Sequence, residues 1–288
     1  MNSPLFPEGI KYVECPRDAW QGLKHFIPTE TKVRYIHALL DAGFTHLDLG
    51  SFVSPKAVPQ MQDTEDVLRE LPDPEGRDYL CIIANEKGMD RAAQQPKVTS
   101  VGFPLSISET FQLRNARQTL PEAWHLVERL KTQADAAQKG LVVYLSMGFG
   151  NPYGDPWNMA IVLDSIRRLR DLNIPNIALA DTVGTATPDL ISEVCSVMQS
   201  HGLSDTLGLH LHARPEHTHA LIAAGWRHGI RWFEGAIGGF GGCPFAADEL
   251  VGNLPTEQVL RFFKPDVHVG EETLRLSETV FCDPSADI

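Results

Sequence analysis

Short apolar runs alternate with amphipathic stretches along the whole chain. Runs of 4–8 apolar residues bounded by turn formers predict buried strands. They fall at 10–15, 45–52, 79–84, 98–105, 141–147, 176–180, 207–212 and 230–235. Between them the apolar positions recur at helical spacing, as for Val33, Ile36 and Leu40. This predicts helices at 31–42, 64–71, 86–94, 158–172, 217–228 and 256–263. Thr119-Leu-Pro-Glu122 has the form of a capping box and opens a long helix to about 139. Thr187-Pro188 starts another, which runs to about 200. One more helix, near 271–281, lies in the tail.

Alternating strands and helices imply a parallel sheet. Eight such units with no break in composition predict an α/β chain folded as a closed (β/α)8 TIM barrel. The expected organisation is a single domain over 1–288, with the barrel at about 10–264 and a short helical tail at 265–288. Active sites of such barrels lie at the C-terminal ends of the strands. Few polar residues stand there: Arg17-Asp18 after the first strand, Asp48 in the second, Asn85 after the third, and Asp181 after the sixth. His210 and His212 close the seventh strand, and Gly238-Gly-Phe-Gly-Gly-Cys243-Pro244 follows the eighth, with Asn253 beyond.

On a strand, His210 and His212 point to the same face, about 7 Å apart along the backbone. Two imidazoles so placed can share one divalent cation. Carboxylate, imidazole and carboxamide groups make a mixed nitrogen and oxygen set without thiolate, which suits Mg²⁺ or Mn²⁺ over structural zinc. The glycine run predicts a permissive loop able to approach a ligand closely. Cys243 ends that loop, as a thiol on a lid able to move a proton.

Composition narrows the partners. The formal net charge of −12 argues against nucleic acid or an anionic membrane surface as a partner. No apolar run reaches the ~18–20 residues of a membrane span. Five cysteines, an odd number without a CxxC pair, and no visible signal peptide point to a reduced, cytoplasmic protein.

Taken together, six segments resemble the 3-hydroxy-3-methylglutaryl-CoA (HMG-CoA) lyase family of metal-dependent lyase and synthase barrels. They are Val13-Glu-Cys-Pro-Arg-Asp18 with Gln21 and Lys24, Ser51-Phe-Val-Ser-Pro-Lys56 with Val58-Pro-Gln-Met61, Asp181-Thr-Val-Gly184, His210-Leu-His212, Gly239 to Ala246 around Cys243, and Gly252-Asn-Leu254 with Thr256-Glu257. The resemblance implies metal-dependent cleavage of a 3-hydroxy-acyl-CoA thioester to acetyl-CoA, with acetoacetate as the second product if the substrate is HMG-CoA. It implies Asp18, His210, His212 and Asn253 as metal ligands and Arg17 as the group meeting the enolate oxygen. Asp48 matches a carboxylate supporting the metal site, and Asp181 an aspartate of substrate binding and proton transfer. Cys243 matches the lid cysteine. Lys24 and Asn85 are assigned to cofactor binding, although a solvated loop charge and a strand-end turn explain them as well. Family members are commonly homodimers.

The chain also departs from the family pattern. Ala19-Trp20 stands where the family has Gly-Leu, which predicts a reshaped acyl pocket. Asp48 replaces a glutamate, Ala213 an aspartate, and Met147 and Asn151 two cysteines. A lyase for citramalyl-CoA or a longer branched 3-hydroxyglutaryl-CoA is therefore an alternative. So are a Claisen-type synthase working in the condensing direction and a barrel that only binds.

Overall fold

Eight parallel strands close on themselves in sequence order, with β1 pairing to both β2 and β8. The strands are β1 Lys11–Glu14, β2 His46–Ser51, β3 Asp78–Ile82, β4 Ser100–Ser106, β5 Gly140–Ser146, β6 Asn176–Asp181, β7 Leu207–Leu211 and β8 Trp232–Gly235. The helices are α1 Pro16–Trp20, α2 Thr29–Asp41, α3 Thr64–Glu70, α4 Glu86–Ala93, α5 Glu109–Ala116, α6 Leu120–Ala136, α7 Met159–Asp171, α8 Pro188–Ser200, α9 Thr218–Arg227, α10 Thr256–Phe263 and α11 Glu271–Phe281. The computed structural model describes residues 5–242 and 251–281. This is the TIM barrel expected from the alternating pattern, with α11 as the tail helix.

Local chemistry starts most of these helices where the sequence predicts. Thr119 accepts from Glu122 N, and the Glu122 side chain returns to Thr119 N, completing the capping box of α6. Thr187 caps α8 ahead of Pro188, and Asn158 caps α7. Two helices go beyond the sequence reading. α1 follows β1 at once, with all five residues buried and Pro16 in its first turn. α5 begins at the Ser108 cap.

Apolar side chains form an outer core between helices and strands, and a smaller inner cluster fills the barrel. The inner cluster contains Val13, Cys15, Leu80, Ile82, Val142, Tyr144, Ala178 and Trp232. Its largest ring needs a gap opposite: a Cβ on Gly208 would lie 2.3 Å from Trp232. With the barrel packed below, polar side chains of β1, β7 and β8 gather at the C-terminal rim.

Trp20 does not line that rim. Its ring packs in the outer core against Tyr35 of α2, with centroids 5.5 Å apart, and is 1% exposed. The expected reshaping of the acyl pocket by Trp20 is corrected: α1 turns the indole outward while Arg17 and Asp18 face the barrel.

Candidate metal centre and active site

Arg17 anchors the site. Its Nε lies 3.1 and 3.0 Å from the two Asp48 carboxylate oxygens, and a second nitrogen donates to Oδ2. Nη1 donates to Asp18 Oδ1 and Gln21 Oε1, each at 3.0 Å. The short α1 helix sets this geometry by placing Gln21 one turn beyond Arg17. Burial pulls the Arg17 pKa down, but Asp48 and Asp18 outweigh it and the guanidinium is held charged. Burial likewise opposes the charge on Asp18. Arg17, the two histidines and Asn253 win, lowering it to about 2.

Asn253 reaches Asp18 from the far end of the chain. The segment leading to it runs against β7, with Ala213 N donating to Gly252 O and an antiparallel bridge joining His212 to Asn253. Its Nδ2 donates to Asp18 Oδ2 and to Phe240 O, both at 2.8 Å. Its Oδ1 is buried without a hydrogen-bond partner.

The two imidazoles converge as their spacing predicts, with Nε2 atoms 3.2 Å apart. Ligand atoms of Asp18, His210 and His212 all lie within 4.8 Å of one another, and all three residues are buried. Behind His210, Nδ1 is 2.8 Å from Glu234 Oε2. Burial lowers the His210 pKa, but Glu234 and Asp18 reverse this and raise it. His212 is lowered to about 4 by burial and by His210 beside it. One carboxylate and two imidazoles around one point, with a carboxamide bonded to that carboxylate, match the donor set of a hard or borderline dication.

The glycine loop lies directly over this cluster. Ile237 N donates to Glu14 Oε1 at 2.8 Å, and Gly238 N sits 3.0 and 3.1 Å from the Glu257 oxygens. Gly241 has φ 100° and passes so close that a Cβ would meet Asn253 Nδ2 at 2.7 Å and Asp18 O at 2.9 Å. Only glycine fits there. Phe240 stacks on Phe281 of α11, centroids 3.8 Å apart. Cys243 lies outside the described residues.

Asp181 and Asn85 make their hydrogen bonds within the turns that follow their own strands. Asp181 is buried and accepts from Thr185 N and Ala186 N, each at 2.9 Å, which fixes the turn after β6. Burial raises its pKa against these hydrogen bonds. Asn85 caps α4 by accepting from Gly88 N at 2.9 Å. Lys24 is exposed. A surface cavity lined by Phe6, Tyr12, Phe44 and Lys264 lies at the opposite, N-terminal end of the barrel. Sequence reasoning gave no role to Gln21, Tyr144 or Glu234. The one signal for Glu234 is a carboxylate inside an apolar strand, in step with the inward-facing Trp232.

A sequence model of the HMGL-like family matches residues 13–278. The chain belongs to the HMGL-like family. It is 31% identical over 276 residues to mitochondrial hydroxymethylglutaryl-CoA lyase of Mus musculus, covering 94% of this chain and 84% of that protein. Against hydroxymethylglutaryl-CoA lyase of Bacillus subtilis it is 29% identical, covering 88% and 85%. In structure it is similar to an HMG-CoA lyase from Acinetobacter baumannii in complex with coenzyme A and 3-methylmalate. The TM-score is 0.86 at 30% identity, covering 94% of this chain and 90% of that one.

Proposed function

We propose that this chain is a divalent-metal-dependent carbon–carbon lyase that cleaves HMG-CoA to acetyl-CoA and acetoacetate. The observation that carries the reading is the convergence of Asp18, His210 and His212 beside the charged Arg17, with the Asn253 amide bonded to Asp18. Membership in the HMGL-like family and likeness to HMG-CoA lyases from a mammal and from bacteria support it. Asp18, His210, His212 and Asn253 hold Mg²⁺ or Mn²⁺. When bound, the cation supplies Lewis acidity that polarises substrate oxygens and eases loss of the hydroxyl proton.

The residues of the chain do the rest. The 3-hydroxyl proton passes to Asp181 or to one of the histidines. Asp181 already accepts from the 181–186 turn, and His210 Nδ1 already faces Glu234. The C2–C3 bond breaks, its electron pair moves onto the thioester oxygen as an enolate, and the ketone fragment leaves. Arg17, pinned by Asp48 and Gln21, donates to that oxygen as a preorganised group. Cys243 returns a proton to C2. Lys24 and Asn85 are assigned to cofactor binding. On this reading the enzyme works as a homodimer in the cytoplasm. The buried, unpaired Cys15, Cys81 and Cys195 support a reducing compartment, and no helix among the described residues is long and apolar enough to cross a membrane.

The test is acetyl-CoA release by metal-stripped protein reloaded with Mg²⁺ or Mn²⁺. HMG-CoA and citramalyl-CoA are supplied separately. Cleavage of HMG-CoA that disappears with EDTA and in Asp18→Ala supports the reading. Cleavage of citramalyl-CoA alone moves the acyl group, and release from neither substrate rejects the lyase assignment for both.

A further inference from the structure

Glu234 takes no direct part in the bond cleavage proposed above, yet it is built into the barrel with unusual care. Its side chain is 0% exposed. Oε2 lies 2.8 Å from His210 Nδ1, and the Cys15 thiol is 3.9 Å from the same oxygen. Oε1 faces Trp232 Nε1 at 3.1 Å and the Tyr144 hydroxyl at 3.4 Å. All four neighbours offer donors, the pattern a carboxylate matches. The cradle requires room for two large rings. Gly208 leaves that room for Trp232, and Gly102 for Tyr144, since a Cβ there would come 2.8 Å from the Tyr144 ring. Residues of β5 and β8, and Cys15 at the end of β1, thus aim at one carboxylate directly behind His210.

The consequence lies on the far side of the imidazole. A ring nitrogen against a carboxylate carries its hydrogen, so Nδ1–H faces Glu234. Nε2 is then the nitrogen turned toward His212 and Asp18. Charge points the same way. Arg17 brings one formal positive charge, and Asp18, Asp48 and Glu234 bring three negative ones, a net of −2 that a dication cancels. Without Glu234 the cluster carries −1.

We propose that Glu234 is the positioning residue of the centre: it fixes the ring orientation and Nδ1–H tautomer of His210 and places a carboxylate directly behind that ligand. The inference rests on the reading of Asp18, His210, His212 and Asn253 as the cation site.

The probe is Mn²⁺, titrated calorimetrically into metal-stripped full-length protein, for wild type and for Glu234→Asp, Glu234→Gln and Glu234→Leu. Loss of a supporting carboxylate of this kind weakens metal binding about 10- to 100-fold, which is expected for Glu234→Gln and Glu234→Leu. Glu234→Asp is expected to recover part of the affinity. Nitrogen-15 spectra of the metal-free wild type are expected to show His210 carrying hydrogen on Nδ1, with that signature lost in Glu234→Leu. A purely structural role would lower the melting temperature without moving the Mn²⁺ affinity. If Glu234→Leu fails to fold, the near-isosteric Glu234→Gln decides. Wild type that binds Mn²⁺ no better than Glu234→Gln overturns the positioning role alone. Wild type that binds no Mn²⁺ overturns the cation site, and the positioning role with it.

Discussion

Arg17 and Asp48 form a buried fork, with Arg17 Nε 3.1 and 3.0 Å from the two carboxylate oxygens. The grip fixes where the remaining guanidinium nitrogens point. Arg17→Lys keeps a charge but loses the planar, two-point hold. Losing one preorganised donor of this kind costs about 10²–10³ in kcat. The variant is therefore expected to bind Mn²⁺ as wild type does and to fall by about that factor in acetyl-CoA release. Steady-state rates beside a Mn²⁺ titration check this, and a Lys variant with near-normal kcat would remove Arg17 from the reaction.

What the sequence makes legible here follows from locality. Each strand is an apolar run between turn formers, and helices such as α6 and α8 carry their caps in the chain, so eight units can be read in order. His210 and His212 share a face through the period of a single strand. Glu234 had no such signal. It meets His210 only because β7 and β8 pair in register, with Leu209 opposite Phe233, across 24 residues of sequence. α1 shows no amphipathic period because all five of its residues are buried. Without that helix the direction of Trp20 is not readable, and adjacency to Asp18 wrongly suggests a place in the pocket.

Trp20→Leu restores the residue type usual in the family and tests that direction. The indole is buried against Tyr35, with its Nε1 unpartnered. Shortening it leaves a partly filled outer core and costs about 2–3 kcal/mol, less than the ~3–5 of a Trp→Ala change. Preference between HMG-CoA and citramalyl-CoA is expected to stay as in wild type. A variant with wild-type stability and altered preference would return Trp20 to the acyl pocket.

Glu14 gives the stability a pH dependence. Burial raises its pKa from the ordinary 4.5 to about 8, against hydrogen bonds from Thr256 and Ile237. The folded chain thus holds a proton that the unfolded chain releases at lower pH. That contribution to stability is complete below pH 4.5, declines as pH rises toward 8, and is gone above it. Glu14→Gln cannot lose the proton. Its melting temperature is expected to fall less than that of wild type between pH 5 and 9, by scanning calorimetry. Parallel curves for the two proteins would show that Glu14 is not the group responsible.

Phe281 ties the tail helix to the glycine loop by stacking on Phe240, with rings 15° from parallel. His25 Nε2 binds the Val280 carbonyl at 3.0 Å, so the same helix end also holds the segment after α1. A stacked aromatic pair is worth about 0.5–1.5 kcal/mol, so Phe281→Ala is expected to lower kcat/KM roughly 2- to 10-fold. Phe281→Tyr, which keeps the stack, is expected to retain activity. Equal loss in both variants would indicate a packing defect in α11 rather than a hold on the loop.

Cation binding itself should register in the melting temperature before any substrate is added. A ligand at about 100 times its Kd stabilises the folded state by ~2.7 kcal/mol, which in a chain of this size is roughly 4–5 °C. Metal-stripped wild type is expected to gain that shift with Mn²⁺ and lose it again with EDTA. Asp18→Asn removes the carboxylate that Arg17, His210, His212 and Asn253 hold ionised at a pKa of about 2, and is expected to abolish the shift. Asn253→Ala removes the unpartnered Oδ1 and is expected to reduce it. His201→Ala changes an exposed histidine at the end of α8 and is expected to leave the shift intact. A shift of equal size in Asp18→Asn would place the bound ion elsewhere on the molecule.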